Sequence, residues 1–186
     1  NLYKNAFERH DANRFLWFVW EKLEKIKSSV LWPHDLYRSW EKGDKPEIID
    51  EQWKNLPDYI DNDESFLPIV DVSGSMYGLP ISVAISLGIY VSERNKSVFK
   101  NAFITFSAKP KMEYLKGTIT ERFNQLYHAD RGMNTNLQAT FHLILMTALE
   151  NDLRQSDLPK SVIIFSDMEF DQCGWQETNY QKIKTM

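Results

Sequence analysis

The chain has 186 residues, 42% of them hydrophobic, and 22 Lys and Arg against 26 Asp and Glu leave a net charge of −4. That length suits one α/β domain with a small appendage and a buried core, while the acidic balance excludes a uniformly basic nucleic-acid-binding surface. An aromatic content of 13% argues against disorder, and the single cysteine, Cys173, excludes an intrachain disulfide and predicts a reducing, intracellular, cytoplasmic setting.

No apolar run is long enough to cross a membrane and no secretory leader is expected. The first residue is Asn1 rather than Met, which predicts a piece of a longer protein. Leu16, Val19, Trp20, Leu23 and Ile26 follow helical spacing with Glu21, Lys22, Glu24 and Lys25 opposite, so a helix is expected over 15–26, capped by Asp11 or Asn13. Pro33 breaks the chain ahead of a short helix over 34–40. Residues 42–46 form a turn, and a helix is expected over 47–60 with Ile48, Ile49, Trp53 and Leu56 inward. A boundary falls at Asp61-Asn62-Asp63-Glu64, dividing the chain into a helical segment, 1–61, and an α/β domain, 62–186.

Beyond that boundary the pattern changes. Phe66-Leu67-Pro68-Ile69-Val70 is an apolar run of strand length. A helix follows over 79–93 with Ile81, Ala84, Ile85, Gly88 and Ile89 inward, then a strand over 98–106 and a weaker edge strand over 111–115. Helices are expected over 119–128 and 137–151. Ser161-Val162-Ile163-Ile164-Phe165 is a second apolar strand, and a last helix begins at Thr178. Strands alternating with helices give an α/β class, with the two apolar runs central, parallel and covered by helices on both faces.

Both apolar strands run into oxygen-bearing residues, the first into Asp71-Val72-Ser73-Gly74-Ser75 and the second into Ser166-Asp167. Open α/β sheets bind ligands beyond the carboxyl ends of their strands, where the strand order reverses. Alternate residues of an extended chain face one way, and Gly74 is expected to let the backbone curl, so a carboxylate and two hydroxyls can converge. The helix beginning near Leu79 points its N-terminus at the same region. Thr135, in Gly132-Met133-Asn134-Thr135-Asn136, offers another hydroxyl just before a helix, where an ordinary helix cap is the plainer role. An all-oxygen set with few carboxylates suits a hard cation such as Mg²⁺ or Mn²⁺. Neutral hydroxyls leave its charge available to an outside carboxylate. His10, His34, His128 and His142 lack zinc-ligand spacing. Glu169 and Asp171 read as a solvated loop, and Cys173 as an inert thiol.

Asp71-Val72-Ser73-Gly74-Ser75 resembles the D-x-S-x-S motif of von Willebrand factor A domains, with Thr135 at the position of their metal-site Thr and Asp167 at that of their second Asp. The resemblance covers 66–186. It implies a Rossmann-like three-layer sandwich, mostly parallel with one antiparallel edge strand. It also implies a metal-ion-dependent adhesion site in which Ser73 and Ser75 bind Mg²⁺ or Mn²⁺ directly, Thr135 binds directly or through water, and Asp71 and Asp167 act largely through water or hydrogen bonds. A complete A domain has further strands after Asp167. The domain is therefore expected to be incomplete at its C-terminus, with Ser161–Phe165 at an exposed edge. Phe7-Glu8-Arg9-His10-Asp11, Pro33-His34-Asp35-Leu36 and Ser166-Asp167-Met168-Glu169-Phe170-Asp171 are similar to an uncharacterised family of plants, fungi and giant viruses. That family joins a helical region to an A-type domain, as Ro/TROVE RNA-binding proteins do, and the similarity makes 1–61 the end of a longer helical region.

The implied function is a non-enzymatic, metal-dependent module that binds an acidic residue of a protein partner. An RNA-binding role through a longer helical region is the alternative. A phosphoryl-transfer hydrolase with Asp71 as nucleophile is a lesser one, because the acid/base position two residues on is Ser73, which does not ionise near neutral pH.

Overall fold

A computed structural model describes residues 31–60, 65–106, 109–129, 136–167, 181, 183 and 184. The expected helix over 15–26, the boundary at 61–64, Thr135, Glu169, Asp171 and Cys173 lie outside them. The closing helix expected from Thr178 is described at 181, 183 and 184 alone, all helical. The chain forms two compact units, Asn1–Pro57 and Asp58–Met186.

In the first unit, helix α1 (Pro33–Glu41) packs on helix α2 (Pro46–Lys54). Pro33 takes the first helical position, where a missing N–H costs nothing, and the Trp32 N–H donates to the Asp35 carboxylate at 2.9 Å. Gly43, at φ 77°, ends α1 in a Schellman turn: the Asp44 N–H donates to the Ser39 carbonyl and the Gly43 N–H to the Trp40 carbonyl. Leu36, Tyr37, Ile49, Trp53 and Leu56 are buried. Helix α2 stops at Lys54, short of the expected residue 60. The Asn55 amide donates to the Glu51 carbonyl at 2.8 Å, and Pro57 disfavours a helical Leu56.

The second unit belongs to the α/β class. Its elements are β1 (Phe66–Val70), a 3-10 turn (Gly74–Met76), α3 (Leu79–Arg94), β2 (Ala102–Thr105), β3 (Met112–Tyr114), α4 (Ile119–Tyr127), α5 (Leu137–Glu150), a second 3-10 turn (Gln155–Asp157) and β4 (Ser161–Phe165). The described sheet is mostly parallel, in the order β3-β2-β1-β4. β1 pairs in parallel with β2 and β4, so that Ile69 faces Ile104 and Ile164, and β3 runs antiparallel to β2. Successive strand residues face opposite sides. Leu67 and Ile69 join Ala102, Ile104 and Ile144 of α5 in one core cluster, while Val70 lies under Gly88 of α3. Helices therefore cover both faces.

Two strand expectations need correction. Residues 98–101 are a turn rather than the start of β2. The Asn95 side chain accepts from the Ser97 N–H, the Ser97 hydroxyl accepts from the Phe99 N–H, and Asn101 takes φ 63°. These local side-chain bonds compete with a ladder. β1 is central with its last four residues buried, but β4 lies at an end of the described sheet, and all five of its residues are only half-buried. That matches the edge placement expected of β4 and not the fully covered one. α4 begins at a capping box, in which Thr118 accepts from the Glu121 N–H and Glu121 from the Thr118 N–H.

Candidate functional site

The order β3-β2-β1-β4 reverses direction at β1, so the carboxyl ends of β1 and β4 flank the switch point of the sheet. The ladder continues one step past the strand ends, the Asp71 N–H donating to the Phe165 carbonyl at 2.9 Å. The Asp71 side chain is then buried, at 1% exposure, and both carboxylate oxygens are engaged. Oδ1 accepts the Ser73 N–H at 2.9 Å and Oδ2 accepts the Ser166 hydroxyl at 2.9 Å. One carboxylate thus folds its own loop into a turn and ties that loop to the end of the neighbouring strand.

That turn sets the two hydroxyls. The Ser73 and Ser75 oxygens lie 3.1 Å apart, on a loop tightened by Met76 N–H to Ser73 carbonyl and Tyr77 N–H to Gly74 carbonyl bonds. The chain curls at Gly74 as expected, into the 3-10 turn Gly74–Met76, but the curl does not need glycine, because the backbone there is ordinary and a Cβ meets open space. The left-handed residue is Gly78, at φ 91° and ψ −130°, which turns the chain into α3. No side chain caps that helix; Gly78 is its N-cap and Pro80 occupies its first turn.

Of the five expected site residues, Asp71, Ser73 and Ser75 share one hydrogen-bonded cluster. Asp167 directly follows the Ser166 that joins it and is exposed. Thr135 lies outside the described residues, and the cap of α5 is Asn136, whose side chain accepts from the Ala139 N–H at 2.9 Å. Among the described residues no three His, Cys, Asp or Glu side chains gather where they could hold an ion. The Ser166 hydroxyl is a further contact of the site, signalled in the sequence only by its place one residue before Asp167. An apolar groove of about 480 Å³, which no sequence signal marks, lies between α3 and the end of β4, with Ser166 and Asp167 among its lining.

A family model for the DUF7788 domain, described as a domain of unknown function, matches residues 65–186, the β1-to-C-terminus stretch that holds this site. The chain belongs to the DUF7788 family. The chain is also 32% identical over 154 residues to "Uncharacterized protein L728" of Acanthamoeba polyphaga mimivirus, a match covering 80% of this chain and 27% of that protein. The chain thus spans well under half of this viral relative. No solved structure gives a significant match. Among the described residues of this DUF7788 member, no helix is long and apolar enough to cross a membrane.

Proposed function

We propose that the domain holds Mg²⁺ or Mn²⁺ at Ser73 and Ser75, with Asp71, Asp167 and Thr135 around the ion, and uses it to bind an acidic group of a protein partner. The supporting observation is the 3.1 Å between the two serine hydroxyls. Adjacent ligands of an octahedral Mg²⁺, each about 2.1 Å from the ion, lie about 3.0 Å apart. The pair already has the separation of neighbouring ligands, and the donor set fits a hard cation. Asp71 has no need to reach the ion, because its oxygens hold the Ser73 backbone and the Ser166 hydroxyl in place. Its charge still lies beneath the site and favours a cation there.

When bound, the ion supplies a positive charge that hydroxyl ligands leave uncancelled, and hence a seat for an outside carboxylate. Strand order, helices on both faces and an antiparallel edge strand β3 support a Rossmann-like von Willebrand factor A arrangement as the finer fold. The burial of Asp71 argues against the hydrolase alternative with Asp71 as nucleophile, since a nucleophilic carboxylate needs a free, approachable oxygen.

Calorimetry with Mg²⁺ and Mn²⁺ tests this. Saturable binding is expected, lost in Ser75→Ala with an unchanged circular-dichroism spectrum. Absence of saturable binding of either ion at millimolar concentration would refute it.

A further inference from the structure

An ion at Ser73 and Ser75 would accept any exposed carboxylate, so selectivity has to come from the surroundings. Past Ser75 and the buried Met76, the chain turns large apolar side chains outward. Tyr77 is 88% exposed and Leu79 56% exposed, an unusual outlay of large apolar surface beside a polar cluster. Leu79 also lines the groove between α3 and β4, together with Met76, Val83, Ile164 and Phe165. Among the described residues the groove's one charged lining residue is Asp167, at the end where Ser166 reaches Asp71. Its volume, about 480 Å³, lies within the roughly 300–1,000 Å³ of pockets that enclose a ligand, which is room for more than one large apolar side chain.

Resting on the metal-site reading above, we propose that the partner is a peptide segment whose acidic residue is accompanied by a large apolar side chain, the carboxylate meeting the ion and the apolar group filling this groove. The order along the chain supports the pairing: the ligand hydroxyl of Ser75 is followed at once by Met76, the first wall of the groove. Charge complementarity selects this occupant over its rivals. A wholly apolar segment leaves the ion's charge without an anion, and a basic segment that satisfies Asp167 is repelled by the ion. A carboxylate alone leaves Leu79 and Val83 uncovered.

The test uses the 186-residue chain and short synthetic peptides with Asp fixed at the centre and the flanking positions randomised, in Mg²⁺. Leu, Ile, Met or Phe is expected to be enriched beside the Asp, and replacing it by Ser should weaken binding about tenfold, the equivalent of burying one such side chain. In Leu79→Ser that preference should fall to about twofold or less, with Mg²⁺ affinity retained by calorimetry. Binding that needs Mg²⁺ and Asp but shows no apolar preference overturns the groove inference alone. Apolar peptides that bind equally well in EDTA, or with the Asp replaced by Ala, overturn it as well. Failure of the unaltered chain to bind Mg²⁺ or Mn²⁺ at all removes the metal-site reading instead.

Discussion

Replacing Gly88 by Ala measures how closely helix α3 holds the end of β1. A methyl built on Gly88 overlaps Val70 Cγ2, with Val70 Cβ at 3.7 Å and Cγ1 at 3.8 Å. Val70 is fully buried and β-branched, so its side chain has few alternative rotamers. Relief therefore requires helix or strand to move. Overpacking of this kind costs about 1–3 kcal/mol, and the better helix propensity of Ala returns about 0.8–1.0 kcal/mol. With so stiff a neighbour the net loss should be about 1–2 kcal/mol, read as a lower urea midpoint at constant m-value. Val70→Ala alone removes two buried methyls and should destabilise through the space it leaves. In the double variant the new methyl refills part of that space, so the two costs should fall short of additivity by about 1 kcal/mol. Asp71 is the next residue, so Gly88→Ala should also weaken Mn²⁺ binding. Wild-type stability in Gly88→Ala, or strict additivity in the double variant, would refute the close-approach argument.

Asp71→Ala leaves the Ser73 N–H and the Ser166 hydroxyl without their acceptor and should cost about 1–3 kcal/mol in chemical denaturation, along with the calorimetric metal signal; undiminished Mn²⁺ binding would count against the site. Gly78→Ala should destabilise by about 1–3 kcal/mol, because its backbone lies where only glycine is at ease. Gly74→Ala should stay within about 0.5 kcal/mol of wild type, and thermal melts of the two variants compare them directly. Burial raises the Tyr90 phenol above its usual value, although the Tyr59 N–H and Arg94 pull the other way. The folded state therefore favours the neutral phenol. Its contribution is intact below about pH 10 and is lost as the pH rises through the raised value. Urea titrations at increasing alkaline pH should show stability falling there, with a shallower fall in Tyr90→Phe.

The parts of the fold readable in the sequence were those where one signal dominates. Phe66–Val70 and Ser161–Phe165 are uninterrupted apolar runs of strand length, and both have the expected bounds. The inward residues of α3 follow the 3.6-residue period and are all buried. Legibility failed where short-range hydrogen bonds override hydrophobicity. Val98 and Phe99 read as strand, but the Asn95 and Ser97 side chains bend that backbone into a turn. At the site, residue types and spacing pointed to Asp71, Ser73 and Ser75. They did not reveal that Asp71 would be buried with both oxygens engaged, because that depends on which residue of β4 stands opposite, a matter of register. The positive φ of Gly78 was not legible either, because it depends on the path by which the chain enters α3.

The bond from Ser166 to Asp71 also bears on how the chain finds its pairing. A slide of β4 by a single residue along β1 would bring the Asp167 carboxylate to the spot the Ser166 hydroxyl occupies, setting two negative groups against each other in a dry environment. The carboxylate that shapes the Ser73–Ser75 loop thus also favours the native strand alignment over its neighbour.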